Sequence, residues 1–137
     1  MRRLRFLIGI CMVLVAAVAC EKQSMMGSPE AESLLLDRLH DEIDSLASAY
    51  PCHDAAEWRF TAVGEKPCGG PASYVAYYAK MDTANFLNKV EIYTERQRAY
   101  NIKWNVVSDC LFLTPPSHIV CEDGKAKLVR DLETAPE

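Results

Sequence analysis

The sequence predicts a small α+β domain in which two amphipathic helices pack on a small antiparallel sheet, with two disulfides. Three observations lead to this prediction. Apolar residues recur at helical spacing in two stretches, short apolar or alternating segments flanked by turn residues are typical of strands, and four cysteines remain in the part of the chain that is expected to be exported. The chain of 137 residues is long enough for one domain.

The first helix is predicted to begin with Ser28 as its N-cap and Pro29 at its first position. Its apolar residues recur at spacings of three or four and define one face, which comprises Leu35, Leu39, Ile43, Leu46 and Tyr50. Pro51 ends this helix because a proline disfavours helical geometry in the residue before it.

Two strands are predicted next. Residues 57–64 alternate, with Trp58, Phe60 and Ala62 on one face, which is typical of a half-buried strand. Residues 73–79 are apolar on both faces and are expected to be covered on both sides. Between the strands, residues 66–71 place two glycines between two prolines, a composition that predicts a tight turn.

A second helix is predicted from Asp82, its N-cap, to Asn101. Met81 and Phe86 are placed to form a hydrophobic staple across the cap. The expected buried stripe comprises Phe86, Leu87, Val90, Tyr93 and Tyr100. Residues 104–107 then predict a further strand.

The last predicted element is a hairpin over residues 119–129, with Asp123 and Gly124 in a type I′ turn. In that register Glu122 lies opposite Lys125, Cys121 opposite Ala126 and Ile119 opposite Leu128. Residues 131–137 are polar and are expected to be a disordered tail.

The N-terminus has the layout of a secretory signal, with a basic start and an apolar run up to Ala19 that is short for a transmembrane helix. Because the run ends in small residues followed by Cys20, it resembles a bacterial lipoprotein signal. That resemblance implies acyl chains such as palmitate on Cys20, and Glu21 after it favours the outer membrane, with the domain facing either the periplasm or the cell surface. The alternative is an ordinary signal that is cleaved after Ala19 and leaves Cys20 free.

The expected organisation is therefore a lipoprotein signal peptide over residues 1–19, a lipidated tether over 20–28, a single α+β domain over 29–130 and the tail. Without the three arginines of the signal, 12 basic side chains remain against 19 acidic ones, so the formal charge is −7. This charge argues against nucleic acid and against anionic lipid surfaces as direct partners. The lipid anchor is the expected contact with the membrane.

Four cysteines remain after the signal and the lipidated Cys20: Cys52, Cys68, Cys110 and Cys121. An even number in an exported domain predicts two disulfides, for which three connectivities are open. We favour the sequential pairing, Cys52 with Cys68 and Cys110 with Cys121. Each of these short rings would stabilise the fold by about 3 kcal/mol on the chain-entropy model.

No motif for a metal, a cofactor or catalysis is found in the sequence. The cysteines and histidines lack the paired spacing of zinc ligands, and no serine lies in a nucleophile-elbow motif. Gly69-Gly70 lacks the lysine and the spacing of a phosphate-binding loop. We therefore expect neither a metal nor a cofactor, and a protein that is not an enzyme.

The segment between Cys110 and Cys121 holds the candidate functional residues: Leu111, Phe112, Leu113, Thr114, Pro115 and Pro116. The prolines stiffen the segment, and a rigid extended loop enters a peptidase cleft at little cost in conformational entropy. One interpretation is thus an exposed inhibitory loop. The other is that Leu111 and Leu113 face the core while the prolines end an edge strand.

The loop is loosely similar to that of Bowman–Birk inhibitors, in which a proline pair follows the specificity residue within a disulfide ring. This likeness implies that Phe112 occupies the specificity pocket of a peptidase, with Leu113 after it.

Several short patterns recur together in the chain: Trp58-x-Phe60, the stretch from Cys68 to Tyr74, Ser108-Asp109-Cys110, Pro115-Pro116 and Cys121-x-x-Gly124-Lys125. As a set they resemble small exported lipoproteins of Bacteroidota, most of them without an assigned function. In size, lipidation signal and cysteine content the chain also resembles potempins, lipoproteins that inhibit proteinases. The leading hypothesis is therefore a membrane-anchored inhibitor of a secreted endopeptidase. The alternative is a non-enzymatic binding or structural module of the cell envelope.

Overall fold

A computed structural model describes residues 27–131. The predicted signal peptide, the lipidation site Cys20, most of the tether and residues 132–137 of the tail lie outside the described residues. The contacts within the chain divide it into two units, with the boundary between Leu35 and Leu36.

Helix α1 spans Pro29–Ala47, and its first residues are the described part of the first unit. The Ser28 hydroxyl accepts a hydrogen bond from the Ala31 amide at 3.2 Å, and Glu32 donates its amide to the Ser28 carbonyl. Ser28 is therefore the N-cap, as the sequence predicts. Leu35 is 54% exposed, so the predicted buried stripe does not begin there.

The second unit contains the hydrophobic core, which forms between the two helices and one face of the first sheet. Its buried residues are Ile43, Ala47, Val63, Phe86, Val90 and Tyr93. Leu36, Leu39 and Leu46 of α1 pack against this cluster. The buried face of α1 is thus set one residue later than predicted at its start, and Tyr50 lies exposed beyond its end.

Strands β1 (Trp58–Glu65) and β2 (Pro71–Tyr78) form an antiparallel hairpin. The predicted tight turn joins them, and both Gly69 and Gly70 adopt positive φ there. Val63 pairs with Ser73 on the face that packs against the helices. The face with Trp58 and Phe60 is the opposite one, so the apolar alternation of β1 marks a second packing surface rather than the helix-facing core.

Helix α2 spans Thr83–Lys103, with Asp82 as its N-cap. Phe86 is fully buried and Met81 packs against the same cluster, which fits the predicted staple. Leu87 is exposed, so its place in the predicted buried stripe is wrong. The predicted strand over residues 104–107 is also wrong, because the amide of Trp104 closes the last turn of α2 on the Tyr100 carbonyl and the chain then continues without regular structure to residue 117.

Strands β3 (His118–Glu122) and β4 (Lys125–Val129) form the second hairpin. Their register is the predicted one, with Ile119 opposite Leu128 and Glu122 opposite Lys125. Asp123 and Gly124 both have positive φ, as a type I′ turn requires. The α+β class is therefore confirmed, although the four strands form two separate two-stranded sheets instead of one.

Gly64 in β1 provides a test of this packing. Its φ is +70°, and a Cβ at this position would meet the Gln97 side chain and lie 3.1 Å from both Ala72 Cβ and Tyr93 Cε1. Gly64→Ala is expected to lower the free energy of unfolding by about 3 kcal/mol, through backbone strain and overpacking together. Urea unfolding followed by circular dichroism measures the loss.

The matched control for this variant is Gly69→Ala. Gly69 has a φ of +89° but nothing within 4 Å of an added Cβ. Only backbone strain applies there, so we expect a loss of about 1 kcal/mol. Equal losses in the two variants would show that the contact between β1 and α2 is not tight.

Candidate functional site

The two disulfides decide the geometry of the candidate site. Cys52 pairs with Cys121, and Cys68 pairs with Cys110, with Cα–Cα distances of 5.3 and 5.6 Å. The predicted sequential pairing is therefore wrong, and no bond closes the segment from Cys110 to Cys121 into a ring. The reason is tertiary: the β1–β2 turn lies beside residues 108–110, and the chain after α1 lies against the second hairpin, where the Cys52 amide donates to the Gly124 carbonyl at 2.8 Å.

We call residues 105–117 the connecting segment, since they join α2 to β3. At its start it is held by the β1–β2 turn. Lys66 Nζ donates to the Leu111 carbonyl at 2.7 Å and lies 3.7 Å from the Asp109 carboxylate. Together with the Cys68–Cys110 bond, these contacts fix the backbone immediately before Phe112.

The end of the connecting segment is held by the second hairpin. Arg130 Nε donates to the Thr114 carbonyl at 2.8 Å, and the Ser117 amide donates to the Val129 carbonyl at 2.8 Å. Pro116 is buried. The candidate residues 111–116 are thus anchored on both sides by groups that are distant in the sequence.

Between these anchors the side chains differ in exposure. Phe112 is 82% exposed and Leu111 is 66% exposed, whereas Leu113 is half-buried. The interpretation in which the segment is part of the scaffold expects Leu111 to face the core. The exposure of Leu111 contradicts this expectation. Thr114 and Pro115 are exposed as well, and the proline pair precedes strand β3 instead of ending an edge strand.

The end of strand β1 is clamped to α2, shortly before the connecting segment begins. Asn101 Nδ2 donates to the Glu65 carbonyl at 2.8 Å, and Arg98 Nε donates to the Glu65 carboxylate at 2.8 Å. The hydrogen bond from Arg98 lowers the pKa of Glu65 below its usual 4.5. This clamp ends one residue before Lys66, so it also positions the lysine that binds the Leu111 carbonyl.

A groove of about 440 Å³ lies between the end of α1, the first sheet and the second hairpin. Trp58, Ala76 and Leu128 contribute to its apolar wall, and Asp44 and Lys125 also line it. Tyr74 also lines this groove. Tyr77 instead stacks on Phe86 in the core, with ring centroids 5.1 Å apart.

Within residues 27–131, no group of three or more histidine, cysteine or acidic side chains is arranged to hold a metal ion. His40 Nδ1 lies 3.3 Å from Asp44 and His118 Nδ1 lies 3.6 Å from Asp131, both on the surface. The expectation that the protein is not an enzyme stays a prediction.

Sequence reasoning missed the residues that anchor the connecting segment. The sequence does not single out Lys66 or Arg130, because the carbonyl groups that accept their hydrogen bonds lie 45 and 16 residues away in the chain. Their position next to a turn and at the end of a strand carries no local signal for this role. The alternating pattern of β1 predicts that Trp58 is a strand residue, but it does not predict that Trp58 lines the groove.

No helix of residues 27–131 is long and apolar enough to span a bilayer. No family model, no curated protein and no solved structure matches this chain.

The Glu65 clamp makes stability depend on pH. Because the pKa of Glu65 is lowered in the folded state, its contribution is fully present above the usual value of 4.5 and is lost as the pH falls through the folded-state pKa. Glu65→Gln should therefore weaken the dependence of the urea midpoint on pH between about pH 5 and about pH 3, which is the usual range in which carboxylates titrate.

Arg98→Gln is the partner variant in this cycle. It should weaken the acid dependence of the urea midpoint as Glu65→Gln does. The double variant should behave almost like either single variant, because each of the three variants removes the same interaction between Arg98 and Glu65. If Glu65→Gln kept the full acid dependence of the wild type, other carboxylates would be responsible for it.

Proposed function

We propose that this protein is an exported lipoprotein that is anchored through Cys20 and inhibits an endopeptidase by presenting residues 111–116 as a rigid loop. The observation that carries the proposal is the 82% exposure of Phe112 on a backbone that is anchored on both sides. A small domain that leaves a phenylalanine and a leucine adjacent and exposed gains by covering them with a partner.

The anchors explain how such a loop could bind tightly. A flexible loop loses conformational entropy when it enters a cleft, at a cost of about 0.5–1.5 kcal/mol for each side chain that is immobilised. Here Lys66, Arg130 and the Cys68–Cys110 bond hold the backbone before binding. The cost of ordering the backbone is therefore met when the protein folds, and the exposed side chains of the loop are ordered on binding.

Phe112 has the chemistry of a specificity residue for a peptidase with an apolar primary pocket. Complete burial of a phenylalanine side chain is worth about 1.5–3 kcal/mol. Leu111 precedes it and is also exposed, so a cleft that takes extended apolar segments is the best match. The resemblance to potempins, although it rests on size, lipidation signal and cysteines, supports the same class of partner.

The first test of the proposal is direct inhibition. Phe112→Ala should weaken inhibition by roughly thirtyfold, which corresponds to about 2 kcal/mol of lost burial. Inhibition constants are measured for the oxidised protein against serine, cysteine and metallo-endopeptidases with apolar, basic and acidic specificity, including any secreted peptidase produced with it.

Leu87→Ala is the matched control for this test, because Leu87 is also an exposed apolar residue but lies on α2 outside the connecting segment. It should leave inhibition within twofold of the wild type, a margin of about 0.4 kcal/mol. Phe112→Lys adds a change of specificity, from apolar-directed towards basic-directed peptidases. Failure of the wild type to inhibit any peptidase of the panel would overturn the proposal.

The membrane anchor is tested separately. Cys20→Ser removes the thiol that carries the acyl chains, and the protein should then move from the membrane fraction to the soluble fraction. Immunoblots of fractionated cells measure this change, and Cys11→Ser within the signal is the control that should leave the protein in the membrane. A Cys20→Ser protein that stays in the membrane would contradict lipidation at this residue.

The second candidate function is a binding module of the cell envelope, and the groove favours it. Its wall contains Trp58 and Tyr74, with Tyr50 at its border, and its volume of about 440 Å³ suits a small ligand or a few residues of a peptide. None of the residues that line the groove belongs to the connecting segment, so Trp58→Ala and Phe112→Ala separate the two functions.

A further inference from the structure

The two disulfides differ in their access to solvent. Cys52 is only 3% exposed and its partner Cys121 is half-buried, whereas Cys68 and Cys110 are both exposed. Reduction of a disulfide requires a thiolate to reach one of its sulfurs in line with the bond. An external thiol can thus reach the Cys68–Cys110 bond without unfolding, but not the buried sulfur of Cys52.

The exposed bond holds a part of the molecule that has few other contacts. Residues 105–117 form neither helix nor strand, and only Pro116 among them is buried. Before Phe112, the remaining described attachments to the β1–β2 turn are the hydrogen bond and the ion pair of Lys66 and the 3.6 Å contact between Ser108 Oγ and Cys68 Sγ. Exposed charged contacts of this kind are worth about 0–1 kcal/mol, so they do not hold the backbone without the covalent bond.

The rest of the fold does not depend on that bond. The core cluster around Ile43, Val63 and Phe86 contains no residue of the connecting segment. The second hairpin keeps its own register and its covalent link to Cys52. Thr114 and Ser117 remain bonded to residues at the end of β4 and beyond it. Reduction therefore frees one side of the connecting segment and leaves the domain folded.

We propose that the Cys68–Cys110 disulfide is a redox latch, which a dithiol reductant opens to release residues 105–113 and so to switch off binding through Phe112. The effect on binding rests on the proposed inhibitory function, whereas the selective opening does not.

The reaction is an ordinary two-electron exchange. A thiolate of the reductant attacks Cys110 Sγ, the Cys68–Cys110 bond breaks and a mixed disulfide forms. Ser108 Oγ lies 3.6 Å from Cys68 Sγ, where its hydroxyl is placed to stabilise the departing thiolate. The second thiol of the reductant then attacks its own sulfur in the mixed disulfide, which releases Cys110 as a thiolate. The reductant leaves as a disulfide, and both protein cysteines take up protons to become thiols.

The latch is tested by graded reduction of the native protein with dithiothreitol. Free thiols are alkylated at each concentration and located by mass spectrometry. Cys68 and Cys110 should be labelled at a concentration roughly tenfold lower than Cys52 and Cys121, because both residues of the first pair are exposed in the folded state whereas Cys52 is buried and Cys121 is half-buried. Equal labelling of the two pairs would overturn the proposal.

Hydrogen–deuterium exchange on the selectively reduced protein shows what the latch holds. Exchange should rise over residues 106–113 and stay unchanged in α2 and in both hairpins. The double variant Cys68→Ser with Cys110→Ser should reproduce this pattern without any reductant. Loss of protection throughout the domain, in the reduced protein or in the variant, would mean that the bond maintains the fold and is not a latch.

Inhibition assays then separate the two proposals. If the oxidised protein inhibits a peptidase, the reduced protein should inhibit it at least roughly tenfold less well, because the released backbone must be ordered on binding. Unchanged inhibition after selective reduction would refute the latch but not the inhibitor. Selective opening in a protein that inhibits no peptidase would refute the inhibitor and leave the conformational latch standing.

Discussion

The Cys52–Cys121 disulfide, which joins the chain after α1 to the second hairpin, is the constraint on which the rest of the structure depends. The described core is small, and the two bonds join residues 69 and 42 positions apart in the chain. Rings of that length restrict the unfolded chain more than the short sequential rings would, with about 4 kcal/mol for each bond instead of about 3. For a domain whose total stability is of the order of 5–15 kcal/mol, the pairing itself is a major source of stability.

Features that depend on neighbours in the chain were predictable from the sequence, whereas features that depend on contacts across the domain were not. The N-caps Ser28 and Asp82, the Asp123-Gly124 turn and the register of the second hairpin depend on neighbours in the chain, and each was predicted. The start of the buried face of α1 and the pairing of the cysteines depend on what lies across the domain. Periodicity alone places Leu35 and Leu36 almost equally well, so the contacts of the folded state decide between them.

The same distinction applies to the candidate site. The sequence indicated residues 111–116 because two prolines follow three apolar residues between cysteines. It did not indicate what holds them, since the ring that was expected to do so does not form. Lys66, Arg130 and Cys68 perform that role from other elements, and only the folded chain brings them together. The sequence therefore identified the candidate residues but not the contacts that hold them in place.

An anchored loop and a closed ring have different consequences for regulation. In a closed ring, one bond holds both ends of the loop, so reduction would free the whole segment at once. Here the end near Thr114 is held by the second hairpin, and the start is held by a bond that solvent reaches. A change at one exposed covalent bond therefore alters the rigidity of the segment around Phe112 while Pro116 stays buried. In the proposed inhibitor, preorganisation determines how tightly the loop binds, so redox control of one anchor would control its affinity for the peptidase.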